Sequence, residues 1–142
     1  MPTPSPTPIP KKTPNSAQLL KECLPDCRWA DLSEANLSEA NLYRADLRWA
    51  DLSRADLHGA NLHGANLFKA DLRQADLSGA DLREAELYWA NLHGAKIDDT
   101  TQIHDNWRLV WEIVNQGADG RDLSQAHLFW TDLRGAELSE AN

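Results

Sequence analysis

A period of five residues is the feature that most limits how this chain can fold. Residues 30–99 are fourteen consecutive quintets that begin with Ala, and the third residue is Leu in thirteen of them and Ile in one. A helix needs apolar residues three and four apart, and a flat strand needs them two apart. Five residues turn a helix by about 500°, so successive leucines would drift about 140° around its axis. The chain must therefore bend after every fifth residue.

The two apolar positions of each quintet predict a coil with a narrow core. The first and third residues of a short extended piece point to the same side, and the others point outward. Bends that always turn the same way close the chain into a coil, and stacked coils pair backbone to backbone at about 4.8 Å. Ala at the first position leaves room for the large third side chain. Each coil then buries its apolar set only against its neighbours, as in a solenoid.

The quintets, such as ADLSE, ANLSE and ADLRW, resemble the A(D/N)LXX signature of the pentapeptide-repeat family. After an interruption the pattern resumes as RDLSQ, AHLFW, TDLRG and AELSE. Before it, residues 25–29 (PDCRW) are a degenerate quintet in phase with the first block of quintets. The resemblance implies four quintets per coil, a square cross-section, a right-handed twist and a core of Ala and Leu. Members of this family are common in cyanobacteria, and a few protect type II topoisomerases through a rod that resembles duplex DNA in size and charge.

We therefore predict an all-β solenoid, a right-handed quadrilateral β-helix of about 4.5 coils, with a short N-terminal capping helix and one inserted helix. Residues 15–142 form one domain, made of a capping helix (15–24), repeats (25–99), an inserted helix with loops (100–120) and further repeats (121–142), preceded by a disordered Pro-rich arm (1–14). The predicted core consists of the third-position residues Leu32, Leu37, Leu42, Leu47, Leu52, Leu57, Leu62, Leu67, Leu72, Leu77, Leu82, Leu87, Leu92, Ile97, Leu123, Leu128, Leu133 and Leu138.

Two segments outside the repeat predict helices. In residues 15–24 (NSAQLLKECL), Asn15 or Ser16 is a candidate N-cap and Pro25 ends the helix, which we expect to cover the end of the solenoid. In residues 105–116 (DNWRLVWEIVNQ), Asp105 lies near the N-cap and Gly117 is the stop signal. The apolar residues of this second helix span an arc of about 200°, wider than one packed face needs. Three interpretations are open: the helix is buried against the solenoid alone, it is buried on two sides, or it exposes a patch for a partner that includes Trp107 and Trp111.

With four quintets per coil, residues twenty apart stack, and one side of the solenoid collects aromatic residues. We call this side the fourth face; it contains the quintets that begin at residues 25, 45, 65 and 85. The second face contains the quintets that begin at residues 35, 55, 75 and 95, and the third face those that begin at residues 40, 60 and 80. We expect the chain to leave the second face at residue 99, extrude the helix and re-enter on the third face, which places AHLFW on the fourth face. The alternative, a third-face quintet made by residues 100–104, would break this register. The candidate protein-binding residues are Trp29, Trp49, Phe68, Tyr88, Trp89, Phe129 and Trp130, unless they merely shield the backbone.

The titratable residues do not assemble a catalytic or metal site. The repeat itself supplies an Asp, Asn or Glu at the second position of nearly every quintet, so paired carboxylates need no catalytic explanation. His58, His63 and His93 fall on three different faces and do not converge. We therefore expect no enzyme activity, no catalytic, cofactor-binding or metal residues, and no cofactor.

Cys23 and Cys27 leave two interpretations open. They are either reduced, half-buried thiols or a short disulfide that ties the first helix to the repeats. Pro25 lies between them and permits a close approach, whereas a cytosolic location argues against the bond.

Charge and hydropathy indicate a protein partner. The net charge of −8 repels phosphates, so direct nucleic-acid binding is not expected, and no apolar run approaches the length of a membrane span. Residues 1–14 do not resemble a secretory signal, which predicts a cytoplasmic location. The sequence thus predicts a protein-interaction scaffold, with a DNA mimic that occupies a topoisomerase or another DNA-binding protein as the alternative. We also expect the C-terminal end to stack on another molecule or to be covered by the inserted helix, and a homodimer would use this end or the aromatic face.

Overall fold

The computed structural model describes residues 16–141, and side chains from residue 20 onward. The predicted Pro-rich arm (1–14) and the candidate N-cap Asn15 lie outside these residues. Helix α1 spans Ser16–Cys23 and helix α2 spans Asp105–Gln116, in the two segments for which the sequence predicts helices. The N-cap of α2 is His104, whose Nδ1 accepts a hydrogen bond from the backbone N–H of Asn106. Gly117 ends the helix and donates its N–H to the carbonyl of Ile113.

The quintets form a stack of parallel coils. Parallel β-bridges join second-position residues that are twenty apart, from Asp26 with Asp46 to Asp76 with Lys96. Four quintets therefore complete one coil. The bridges are isolated because the chain bends after every quintet, so no strand extends beyond a single bridged residue.

Each quintet closes with the same local turn. The N–H of Ala60 donates to the carbonyl of Leu57 at 3.0 Å, and equivalent bonds recur along the stack. The fifth residue of the quintet takes a positive φ, such as 59° at Glu34. The side chain of Asp56, at the second position, accepts the backbone N–H of His58 at 3.0 Å. Asp and Asn form such side-chain turns readily, which explains their preference at this position.

The third-position leucines fill the core of the continuous coils. Every one from Leu32 to Leu92 is at most 2% exposed, as the sequence predicts. The prediction is wrong for Leu138, which is 42% exposed, and it holds only in part for residues that are half-buried. Among the described residues, no further coil stacks on the outer side of the later quintets (residues 121–140), so their apolar side chains stay partly open. The half-buried members are Ile97, in the last of the continuous quintets, and Leu123, Leu128 and Leu133 in the later ones.

Helix α2 lies between the continuous coils and the later quintets. Its Trp107, Val110 and Val114 belong to the core of the coils, while Ile113 is fully buried outside that cluster. The indole N–H of Trp111 donates to the carbonyl of Ala95 at 2.7 Å. On the other side, the amide of Asn106 donates to the carbonyl of His127 at 2.7 Å. Of the interpretations left open, burial on two sides is the one that the structure shows, and α2 does not cover Leu138.

The path of the chain into α2 differs from the predicted one. Gln102 forms a bridge with Asp81, and Leu82 donates its N–H to the Gln102 carbonyl at 2.6 Å. The third face is therefore occupied before α2 begins, and the prediction that the chain re-enters there only after the helix is wrong. Even so, Trp89 donates its N–H to the carbonyl of Trp130 at 2.7 Å. The predicted placement of AHLFW above Trp89 is thus confirmed, because α2 and residues 117–125 complete the turn that leads to it.

A disulfide joins α1 to the first coil. The sulfur atoms of Cys23 and Cys27 are bonded, and their Cα atoms lie 4.7 Å apart. The interpretation as reduced thiols is therefore wrong in this structure, because the chain reverses at Pro25 and brings the two residues together. Leu20 of α1 is 8% exposed and packs in the core with Cys27. Within the part of the chain that is described, no helix is long and apolar enough to cross a membrane.

Candidate protein-interaction surface

The stacking of the coils aligns aromatic side chains on the fourth face. The rings of Trp29 and Trp49 are parallel within 3°, and their centroids are 4.7 Å apart. This distance equals the spacing of neighbouring strands, about 4.8 Å, so the backbone bridges hold the rings in contact. Phe68 packs edge-on against Trp49, with centroids 5.5 Å apart. The first three coils thus carry one continuous aromatic column.

A second aromatic group continues the fourth face where α2 meets the coils. The ring of Tyr88 packs edge-on against Trp107 of α2 at 5.0 Å and against Trp130 at 5.9 Å. Tyr88 therefore connects the coils, α2 and the later quintets. Trp107 is only 7% exposed and Trp111 is half-buried, so the structure leaves only part of the predicted helix patch accessible to a partner. Both indoles pack against the core of the coils.

The fourth face remains open to solvent although its rings touch one another. Trp29 is 60% exposed, Trp130 is 64% exposed and Phe129 is 80% exposed. Tyr88 and Trp89 are also exposed. The predicted binding residues are thus brought together on one face, and Trp49 and Phe68 are half-buried within it.

Cations are interleaved with the aromatic column. The guanidinium of Arg48 lies 5.7 Å from the ring centroid of Trp49, and the amine of Lys69 lies 5.5 Å from that of Phe68. Such contacts favour the positive charge over the ring face. Arg48 also donates to both oxygens of Asp46, at 2.8 and 2.6 Å. The two hydrogen bonds to Asp46 therefore hold the Arg48 guanidinium beside the Trp49 ring.

An Asp and an Arg two residues apart form an ion pair within several quintets. Arg28 donates to both oxygens of Asp26 and lowers the pKa of that carboxyl to about 2. The side-chain hydrogen bonds of Arg83 likewise lower the pKa of Asp81. These pairs neutralise part of the acidic surface locally. The same arrangement occurs in Arg48–Asp46, Arg73–Asp71 and Arg134–Asp132.

The histidines do not form a metal site. His63 stacks on Tyr43, with centroids 5.6 Å apart, and the guanidinium of Arg44 lies 5.1 Å from the Tyr43 ring. This second ring contact, on the third face, was not predicted, although the twenty-residue spacing of Tyr43 and His63 indicates it. Within residues 16–141, no group of His, Cys, Asp and Glu is placed to hold a metal ion.

A cleft of about 600 Å³ interrupts the fourth face, and it was not predicted from the sequence. Trp49 and Trp89 line it together with Lys69, which lies between them in the stack. The available signal was that Lys69 is the one fifth-position residue of this face in the continuous coils that is not Trp. The remaining lining residues are Ala70, Asp71, Asn91, Thr131, Asp132, Leu133 and Arg134.

Comparison with known families identifies the repeat. A family model described as pentapeptide repeats matches residues 26–59 and 60–99, with eight copies. No curated protein sequence matches the chain.

Several solved structures are similar to this chain. The pentapeptide repeat protein alr5209 from Nostoc PCC 7120 is 39% identical over 63% of this chain and 82% of its own, with a TM-score of 0.35. Rfr23 from the cyanobacterium Cyanothece 51142 is 38% identical over 54% of this chain and 55% of its own, with a TM-score of 0.30. AT2G44920 from the thylakoid lumen of Arabidopsis thaliana is 28% identical over 75% and 86%, with a TM-score of 0.37. At these TM-scores the similarities say nothing about how the coils are arranged.

Proposed function

Because this chain belongs to the pentapeptide-repeat family, we propose that it is a non-enzymatic scaffold that binds a protein partner through its fourth face. Family membership also supports the predicted right-handed quadrilateral β-helix, with four quintets in each coil.

The aromatic column of the fourth face supports this proposal. Protein interfaces are enriched in Trp, Tyr, Phe and Arg, and these residue types dominate the energetics of binding. Trp29, Trp130 and Phe129 are all more than half exposed on this face. Large exposed apolar surfaces on a protein usually mark a binding site. The coil backbone fixes the spacing of these side chains, so a partner would meet a surface that is already ordered.

The carboxylates support a structural role better than a catalytic one. Asp71 and Asp81 each accept a hydrogen bond from the backbone N–H of the Arg two positions later. Each also forms an ion pair with the side chain of that Arg. Their oxygens are thus engaged in closing turns of the coil. A general acid or base would instead need a carboxylate whose proton is available to a substrate.

A DNA mimic that occupies a topoisomerase or another DNA-binding protein is the second candidate. The net charge of −8 favours it. The Asp–Arg pairs weigh against it, because duplex DNA carries one unpaired negative charge per about 1.7 Å of helix axis. We expect no inhibition of a purified type II topoisomerase in a supercoiling assay. Potent inhibition would reverse the order of the two candidates.

The proposed binding face is tested by comparing two variants in an affinity capture experiment. We expect one partner to be retained by the wild-type chain and lost by Trp29→Ser/Trp89→Ser. Tyr43→Ser on the third face is the matched control, since Tyr43 is 48% exposed and its loss should leave binding intact. Circular dichroism establishes that both variants are folded. Equal retention by both variants would refute the fourth face as the interface.

A homodimer is the simplest competing use of the same surfaces. Sedimentation of the wild-type chain and of Trp29→Ser/Trp89→Ser separates the two cases. A dimer that dissociates only in the double variant would make a second copy the partner. A dimer unchanged in that variant would place self-association elsewhere, such as at the exposed Leu138.

The cytoplasmic location predicted from the sequence stays a prediction. The Cys23–Cys27 disulfide weighs against it, because such bonds persist mainly in oxidising compartments. Thiol labelling of the protein taken directly from its native cells distinguishes the two: labelled cysteines favour the cytoplasm, and protected cysteines favour an oxidising compartment.

A further inference from the structure

The fifth positions of the fourth face form a ladder with one residue of a different kind. Trp29, Trp49, Lys69 and Trp89 occupy this position in successive coils, and Trp130 follows above them. The backbone of Lys69 keeps its place in the ladder, since its N–H donates to the carbonyl of Tyr88 at 2.9 Å. The backbone hydrogen bonds of the ladder therefore continue through Lys69, whereas its series of Trp side chains is interrupted there.

Lys69 places no ring at the fifth position of its own level, and the Phe68 ring packs edge-on against Trp49 from the fourth position. Its amine lies 5.5 Å from the ring centroid of Phe68, which is the neighbouring residue in its own quintet. The cleft of about 600 Å³ is found at this level, with Trp49 and Trp89 both among its walls. Thr131 and Arg134 of the later quintets complete the wall.

The spacing of the coils would admit one aromatic ring at this level. Trp49 and Trp89 are two coil steps apart, or about 9.6 Å at the strand spacing. A ring midway between these two backbone levels would lie about 4.8 Å from each level, within the 4.5–7 Å at which aromatic pairs attract. Trp29 and Trp49 already show such a contact over one coil step, with centroids 4.7 Å apart.

The polar groups of the cleft favour a ligand that carries a hydrogen-bond acceptor beside its aromatic ring. The carboxylates of Asp71 and Asp132 already accept hydrogen bonds from Arg73 and Arg134. The described residues provide no carboxylate partner for the amine of Lys69. A ligand carboxylate would supply that partner. A guanidinium or ammonium group in the cleft would instead face Lys69 and would be repelled.

We propose that this cleft binds an aromatic side chain of a partner protein, next to a carboxylate, so that the partner's ring supplies the missing level between Trp49 and Trp89. The proposal rests on the proposed function and assigns the chemistry of the partner to one place on the fourth face. Trp49 and Trp89 sandwich the ring, and Lys69 pairs with the adjoining acidic group.

Nuclear magnetic resonance with short blocked peptides tests this directly. The isotope-labelled wild-type chain is titrated with acetyl-Glu-Trp-amide, and with acetyl-Lys-Trp-amide and acetyl-Glu-Ala-amide for comparison. We expect saturable shifts of the Trp49 and Trp89 indole N–H signals with the Glu-Trp peptide. We expect weaker binding of the Lys-Trp peptide and no shifts with the Glu-Ala peptide. Equal shifts with all three peptides, or shifts confined to Trp29 and Trp130, would overturn the proposal.

Substitutions of Lys69 separate the shape of the cleft from its charge. Lys69→Trp fills the level from within and should weaken binding of the Glu-Trp peptide by at least about tenfold. Lys69→Ala leaves the level open, so it should still bind the Trp peptides but lose the preference for Glu over Lys. Gln74→Trp is the matched control, because Gln74 has the same turn position with φ 59° but has no Trp in the neighbouring coils of its face. Undiminished binding by Lys69→Trp would refute the missing level.

The outcome distinguishes this proposal from the proposed function. If Trp29→Ser/Trp89→Ser loses a partner that Lys69→Trp retains, the fourth face is the interface and the cleft is not its anchor. If the Glu-Trp peptide binds the cleft but the double variant retains its partner, the cleft is a site and the wider face is not the interface.

Discussion

The quintets ADLRE at residues 80–84 and TDLRG at residues 131–135 have nearly the same internal geometry in very different surroundings. In the first, Arg83 donates its backbone N–H to Asp81 at 3.1 Å and its side chain at 2.9 and 2.6 Å. In the second, Arg134 makes the same three bonds to Asp132 at 3.1, 2.8 and 2.6 Å. The turn and its ion pair therefore keep the same geometry in both surroundings.

The two quintets differ in how they stack. Leu82 is fully buried and donates its N–H to Gln102 in the coil above. Leu133 is half-buried, and the chain around it is held by isolated contacts such as the bond from Trp89 to Trp130. Burial of the third residue thus depends on what packs over its coil, whether another coil, as over Leu82, or a helix, as α2 does over the last continuous coil. The comparison separates the local rule of the repeat from the stability that stacking adds.

The largest expected effect comes from removing a core leucine in each region. Leu62→Ala should lower the free energy of unfolding by about 2–5 kcal/mol, because the narrow coil cannot collapse around the cavity. Leu138→Ala should change it by less than about 0.5 kcal/mol, since Leu138 is 42% exposed. Urea denaturation of both variants measures the difference. Similar losses would mean that the later quintets are stacked as tightly as the first.

Overpacking the inner alanine extends the same comparison. Ala60 is fully buried, so Ala60→Leu should cost about 1–3 kcal/mol. Ala136 holds the equivalent position in a later quintet and is half-buried, so Ala136→Leu should be tolerated. The shift of the urea denaturation midpoint measures the effect of each substitution. An unchanged midpoint for Ala60→Leu would contradict a core that is filled by one large and one small residue per quintet.

The N-terminal end provides a third region, in which a covalent bond holds the first coil. Reducing the Cys23–Cys27 disulfide should destabilise the chain by about 2 kcal/mol, as expected for a short closed loop. Thermal unfolding with and without reductant measures it. Cys23→Ser/Cys27→Ser is the control, and it should show no dependence on reductant. A wild-type chain that is equally insensitive would show that the bond does not hold α1.

The smallest effect tests the feature that the two regions share. Hydrogen bonds from Arg83 and Arg134 lower the pKa values of Asp81 and Asp132 below the usual 3.8. Each ionised carboxylate therefore stabilises the fold above about pH 4, and this contribution is lost as the pH falls through the lowered pKa. Because both Arg side chains are exposed, each pair should contribute less than about 1 kcal/mol.

Asn substitution isolates the charge, because the amide oxygen still accepts the backbone N–H. Asp81→Asn and Asp132→Asn should each flatten the dependence of stability on pH below about pH 4, and by similar amounts. The measurement is the melting temperature at successive pH values. A large effect at only one of the two positions would show that stacking alters the ion pair as well as the core.

Much of the fold followed from the sequence because the quintet rule is local. The five-residue period predicted the inward Leu column, and Leu62 lies where it was expected. The path into α2 was predicted wrongly, because Gln102 joins the third face without the Ala and Leu of the repeat. Thr101 takes the inner position there and donates its hydroxyl to the carbonyl of Leu77 at 3.0 Å. This hydrogen bond could not be predicted from the sequence, because its acceptor lies in another coil.

The sequence by itself determined the turn of each quintet, the twenty-residue stacking once four quintets form a coil, and the alignment of Trp29 with Trp49. Only the tertiary structure decided whether a given leucine is buried and whether an aromatic residue is a binding candidate. Trp107 and Trp130 have the same side chain, yet Trp107 is buried where α2 packs on the coils and Trp130 is open to solvent. The physical reason is that a turn is closed by bonds between neighbours along the chain, whereas burial and clefts depend on which segment of the chain lies above.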